Sequence, residues 1–229
     1  MKKILISIIV FTILGFCQNT FALIKTSNLI LASRFEGNTL DWTGNGHIGT
    51  VTGCTTGIGN AGYGYTFDGI DDDINFGNIP QLSGGTATYT VIVSTTLTEP
   101  IATRVLFVYD QNSFLNTDDI YLYWNGVTVR YQTGGAGESS ADITDLSDGK
   151  WHRIALVKTS TNALIYEDGR LKENVVREGA PFGGAWQFYL GFKANASSWQ
   201  GNQDELLIYD RALTEAEIRQ DYSGFSPGE

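Results

Sequence analysis

Nine short stretches rich in β-branched and aromatic side chains recur along this chain, set apart by glycine, asparagine, aspartate and serine. They are Leu29 to Phe35, Thr88 to Leu97, Arg104 to Tyr109, Ile120 to Trp124, Val127 to Tyr131, Trp151 to Val157, Ala163 to Glu167, Phe188 to Phe192 and Glu205 to Tyr209. Runs of this length and composition, bounded by turn formers, read as strands. Asn125-Gly126 lies between two of them and Asp168-Gly169 follows another. Both dipeptides favour the positive φ that a two-residue hairpin turn demands, so both predict antiparallel hairpins. Alternating and continuous apolar strands together predict two such sheets face to face.

One helix is expected, from Glu215 to Tyr222. Thr214 and Glu217 have the spacing of a capping box, Leu213 and Ile218 that of a hydrophobic staple, and Ile218 and Tyr222 share a face that should lie on the sandwich. The chain shows no repeat and no linker composition, so a single domain is expected over 23–229. With 42% hydrophobic and 17% charged residues the chain is not disordered. Its 25 acids against 15 bases, a formal charge of -10, exclude the basic face that nucleic acid requires.

The first 22 residues read differently. Lys2 and Lys3 precede an apolar run from Ile4 to Phe16, and Thr20-Phe21-Ala22 supplies small residues for cleavage. This is the pattern of a secretory signal peptide, and Gln18, Asn19 and Thr20 end the run short of a membrane span. The expected product is secreted, extracellular or periplasmic, with no membrane span and a formal charge of -12 once the two lysines are lost. Cys17 leaves with the signal, so Cys54 has no intramolecular disulfide partner.

Five phrases in order resemble the laminin-G-like (LamG), concanavalin A-like jelly-roll family: Ser33-Arg34-Phe35-Glu36-Gly37-Asn38 followed by Asp41-Trp42-Thr43-Gly44-Asn45-Gly46; Gly62-Tyr63-Gly64-Tyr65-Thr66-Phe67-Asp68-Gly69 followed by Asp71-Asp72; Asp148-Gly149-Lys150-Trp151-His152; Ile165-Tyr166-Glu167-Asp168-Gly169; and Gly201-Asn202-Gln203-Asp204-Glu205 running into Ile208-Tyr209-Asp210-Arg211-Ala212-Leu213. The resemblance covers nearly all of the chain after the signal. It implies an all-β, two-sheet antiparallel jelly-roll sandwich with first and last strands side by side. It also implies recognition of carbohydrate or protein, and a structural calcium ion.

Glu36, Asn38 and Asp41 place oxygen donors around a bend, as a hard cation needs. The resemblance would bring Asp204 to the same place from the last strand. Two readings stand for these residues, a calcium site or Asx turns at a surface bend. Asp71, Asp72 and Asp73 are expected in a solvated loop. Trp42, Trp124, Trp151, Trp186 and Trp199 are possible sugar platforms, with Trp151 expected in the core. The polar stretch Asn195 to Asn202 reads as a loop around Trp199, so the expected glycan contacts are Trp199, Trp186, Asn195 and Asn202.

His152 is expected to be structural, and His47 has no neighbour at zinc-ligand spacing. Hydrolases on this architecture carry Glu-x-Asp-x-x-Glu along one strand, and the chain has no such run. The expected function is therefore a secreted, non-catalytic module for a glycan or glycoprotein. The alternatives are a protein-binding or adhesion subunit and, third, a glycoside hydrolase or polysaccharide lyase.

Overall fold

The computed structural model describes residues 27–83, 87–99, 102–110, 120–133, 138–141, 143, 146, 148–176, 186–191 and 198–224. Among these residues fifteen strands, numbered in chain order, form two sheets. The first sheet runs β13 (Arg170–Val176), β12 (Asn162–Glu167), β11 (His152–Lys158), β6 (Tyr89–Thr95), β15 (Gln200–Tyr209), β4 (Tyr63–Asp68) and β3 (Thr55–Ile58), with β1 (Leu29–Ser33) also on β15. The second runs β10 (Glu138–Ala141), β9 (Val129–Thr133), β8 (Ile120–Trp124), β7 (Arg104–Asp110), β14 (Gln187–Gly191), β5 (Asp73–Asn75) and β2 (Thr50–Thr52). Every pairing is antiparallel. This is the two-sheet antiparallel sandwich expected of the sequence, and its first and last strands do pair, Ser33 opposite Leu206 and Leu29 opposite Tyr209.

The period-2 alternation of side chains sorts the apolar residues into three layers. Between the sheets lies the main core, including Leu31, Phe35, Phe67, Phe107, Tyr131, Leu156, Phe188 and Ile208. On the outside of the first sheet, Ile92, Ala155, Val157, Tyr166 and Tyr209 pack with Leu213 and Ile218 beneath the helix α1 (Glu215–Gly224). On the outside of the second sheet, Val105, Val108 and Tyr121 form a smaller cluster with the half-buried Tyr123 and Tyr189.

The helix begins as its sequence dictates. The Thr214 Oγ1 accepts from the Glu217 amide at 3.3 Å while the Glu217 carboxylate accepts from the Thr214 amide at 2.8 Å. Asp168-Gly169 makes the expected two-residue turn, with φ of 49° and 73° and Glu167 opposite Arg170. The other hairpin differs. Trp124 pairs with Val129, so the loop is Asn125 to Thr128, and the Asn125 carboxamide oxygen accepts from the amides of Val127 and Thr128. The asparagine caps the turn with its side chain instead of occupying a two-residue turn with its backbone.

Candidate functional site

The loop after β1 is built on Asp41. Its Oδ1 accepts from the Thr43 hydroxyl at 2.7 Å, the Thr43 amide at 2.9 Å and the Ala32 amide at 3.2 Å, and its Oδ2 accepts from the His47 amide at 3.2 Å. Partial burial opposes the charge, but these donors hold the carboxyl below the usual carboxylate range. Trp42 donates its amide to the Ala32 carbonyl at 2.8 Å and Asn45 its carboxamide to Ile30 at 3.0 Å, so the loop seals the edge of β1 that faces away from β15.

The residues of the expected calcium set, Glu36, Asn38, Asp41 and Asp204, all take hydrogen bonds from this chain. Asp41 is spent on amides and a hydroxyl. Asn38 bridges the Glu36 carbonyl and the Leu40 amide, an Asx turn. Glu36 and Asp204 both grip the segment joining β3 to β4: Glu36 accepts from the Tyr63 amide at 3.2 Å, and Asp204 from the amides of Asn60 at 2.9 Å and Ala61 at 3.2 Å. Gly62, at φ 74°, makes the first grip possible, since a β-carbon there would lie 2.3 Å from the Glu36 carboxylate. Among the described residues the carboxylates that do converge are others, those of Asp68, Asp71 and Asp72, with ligating oxygens within 4.8 Å of one another.

Those acids also depart from expectation, because Asp72 and Asp73 are buried and only Asp71 is solvated. Asp72 accepts from the Asp68 amide at 2.6 Å. Burial, with the neighbouring charges of Asp68 and Asp71, pushes its carboxyl pKa up against that bond. Cys54, a free thiol, donates to the Asp73 carbonyl at 3.4 Å; burial and the charges of Asp72 and Asp73 push its pKa up, away from reactivity.

Burial, with the charge of Glu205 adding to it, pushes Asp204 up to about 7 despite the amides it accepts from. The native state therefore binds a proton that the unfolded chain releases between about pH 4 and pH 7, so this carboxyl makes stability fall as pH rises through that window. The difference in melting temperature between wild type and Asp204→Asn is expected to change across the window; parallel pH profiles would refute a shifted carboxyl. His152 is structural as expected: its Nδ1 donates to Asp168 at 3.1 Å and its Nε2 to Asp148 at 3.2 Å, and the Asp168 bond leads in holding it protonated up to about 9.

The tryptophans expected to meet glycan lie inside the fold. Trp199 is fully buried, its Nε1 donating to the Thr96 carbonyl at 2.9 Å, and Trp186 is buried with its ring 5.8 Å from that of Tyr109. Asn202 is no loop residue: its carboxamide ties Thr66 at 2.7 Å to Thr96 at 3.1 Å across neighbouring segments of the first sheet. Asn195 lies outside the described residues. Trp151, expected in the core, is half-buried.

The face with the chemistry of a ligand site is the outside of the second sheet. Residues directly opposite on neighbouring strands share a face. Register therefore draws one transverse row, Thr50, Asn75, Tyr189, Val108, Tyr121 and Gln132, across six strands or about 24 Å. A second row holds Val105, Tyr123 and Arg130, and Gln187 opposes Asp110 beside the first. Val108, Tyr121 and Asp110 are buried, whereas Tyr189, Tyr123, Asn75, Gln187, Arg130 and Gln132 are half-buried. The Gln187 carboxamide oxygen accepts from Asn75 at 2.5 Å and from the Tyr189 hydroxyl at 2.8 Å. Burial, then the charges of Asp73 and Asp110, push the Tyr189 phenol up. The half-buried rings of Tyr189 and Tyr123 thus share one face with the half-buried polar groups of Asn75, Gln187, Arg130 and Gln132, around the buried Val108, Tyr121 and Asp110.

Residues 67–219 match the family Laminin_G_3, the concanavalin A-like lectin/glucanases superfamily. The chain belongs to this family. No curated protein matches it. Among solved structures this Laminin_G_3 chain is similar to domain 4 of AbnA, a GH43 extracellular arabinanase from Geobacillus stearothermophilus solved in complex with arabinotriose. The TM-score is 0.69 at 22% identity, covering 85% of this chain and 98% of that one. It is also similar to the binding domain of Paraclostridial Mosquitocidal Protein 1, with TM-score 0.70, 13% identity, and 87% and 53% covered. A third is Trypanosoma rangeli sialidase in complex with sialic acid, with TM-score 0.67 and 20% identity; 86% of this chain matches 33% of the sialidase. At these identities the likeness establishes the Laminin_G_3 fold.

Proposed function

We propose that this chain is a secreted, non-catalytic glycan-binding module whose contact surface is the outside of the second sheet. The observation that carries the reading is the register-aligned face on which the half-buried Tyr189 and Tyr123 lie with Asn75, Arg130 and Gln132. It sets ring faces beside hydrogen-bonding side chains on a scaffold of paired strands, which costs little ordering when a sugar binds. The arabinanase domain, nearly all of which the chain covers, was solved with arabinotriose, and that supports a saccharide as ligand class. Calcium belongs to the same reading: Asp68, Asp71 and Asp72 present an all-oxygen donor set, the kind a hard cation takes, and Asp72 immediately precedes β5.

The test is retention on a glycan array and arabinotriose titration, with calcium and with a chelator. Tyr189→Ala is expected to weaken binding about tenfold or more at unchanged fold. Chelation is expected to lower both affinity and melting temperature, and equal values would remove the ion. An empty array would overturn the reading, and release of reducing or unsaturated ends from polysaccharides would replace it with the enzyme alternative.

A further inference from the structure

Trp42 stands apart from the other four tryptophans. Its residue is 59% exposed, whereas Trp124, Trp186 and Trp199 are buried and Trp151 is half-buried. Leu40 and Ile48, on the same loop, are 48% and 56% exposed. A large apolar ring in water on a soluble chain calls for an explanation when its mount is rigid, and this mount is. Asp41, the residue before it, takes the donors described above, and the Trp42 amide is bound to β1. The neck of the loop is closed by Thr39 and Gly49, which exchange a hydroxyl-to-carbonyl bond of 2.5 Å and an amide-to-carbonyl bond of 3.2 Å. The Arg34 guanidinium carbon lies over the indole, 5.2 Å from its centroid, which fixes the ring plane from one side.

We propose that Trp42, backed by Arg34, is a second carbohydrate contact, at the sealed edge of β1 and separate from the sheet face, for the apolar face of a neutral sugar. The ring supplies a flat surface on which the C–H groups of one sugar face stack, and the pinned loop loses little freedom when they do. Neutrality follows from the charges nearby. Arg34 is coupled electrostatically to Glu205, Glu36 and Asp41 stand on the same loop, and the whole chain carries -10, so an anionic sugar or an anionic bilayer meets net repulsion here. The ligand class rests on the glycan reading, but the site does not depend on the sheet face.

Tryptophan fluorescence reads this site directly, because Trp42 is the exposed one of the five tryptophans. Wild-type protein titrated with arabinotriose and with neutral hexose tetrasaccharides should become shielded from quenching by acrylamide, a neutral quencher. Trp42→Ala should abolish that shielding and weaken binding about tenfold at unchanged melting temperature, with Trp42→Phe restoring part of it. An oligogalacturonate should produce no shielding. Loss of binding in Tyr189→Ala alone, with Trp42→Ala like wild type, overturns the inference and leaves the sheet-face reading intact. Loss in Trp42→Ala alone supports the inference and counts against the sheet face. Trp42-dependent capture of neutral phosphatidylcholine vesicles without any response to sugar overturns the inference.

Discussion

Asp221→Ala is expected to cost the fold about 3–5 kcal/mol, because it strips the counter-ion from a buried guanidinium. The side chains of Arg153 and Asp221 are only 3% and 7% exposed. Arg153 donates its Nε to one Asp221 oxygen at 2.8 Å and its Nη2 to the other at 3.1 Å, the two-pronged geometry that a planar guanidinium favours. Its Nη1 donates to the Ser94 hydroxyl at 2.9 Å and to the Glu205 carbonyl at 2.8 Å. One side chain on β11 thereby ties β6, β15 and the C-terminal helix together. Replacing both partners, as Arg153→Met with Asp221→Leu, should recover much of the loss, since the desolvation of two charges disappears along with their attraction. Urea unfolding of the single and double variants decides the matter. A single variant that loses under about 1 kcal/mol would show the pair to be no more than a surface bridge.

Trp199→Ala should be about as costly, on the order of 3–5 kcal/mol, by emptying an indole-sized volume from the main core. It would also remove the indole donor from the Thr96 carbonyl. Trp199→Phe keeps most of the volume and should fall between. Trp42→Ala, the control, removes a ring already in solvent and should stay within about 0.5 kcal/mol of wild type. Comparable losses at the two positions would contradict the burial assigned to them.

The contrast between these tryptophans shows what the sequence could carry. Elements that announce themselves locally were legible: the capping box at Thr214 and Glu217, the Asp168-Gly169 turn, and the apolar runs that became β6, β7, β8, β11 and β12. The neighbouring of the first and last strands followed from family resemblance. Trp199 was misplaced because its flanking asparagines and serines look like a loop. Asn202 is instead a cross-strand tie and the Ser198 hydroxyl donates to the Asp72 carbonyl, contacts between residues more than 100 positions apart. Strands β2, β3 and β5 were missed because their threonines, glycines and aspartates carry no strong apolar period, whereas β4, with Tyr63, Tyr65 and Phe67 at every second position, does carry one and could have been read from it.

The sheet-face row was out of reach for a different reason. Asn75, Tyr189 and Tyr121 come together only through register, and a slip of one residue would turn each to the opposite face. The oxygen donors of the β1 loop were visible, but their occupants were not. Backbone amides of the same chain fill Asp41, Glu36 and Asp204.

The pairing of β1 with β15 also sets how the domain answers tension. Leu29 lies opposite Tyr209, so the chain enters and leaves this ladder at the same end. A pull on the N-terminal side loads the outermost rung first and opens the ladder like a zipper, one bond after another, instead of shearing all rungs at once. The Asp41 loop clasps the other edge of β1 through Ile30 and Ala32 and is the latch that such a force must release next.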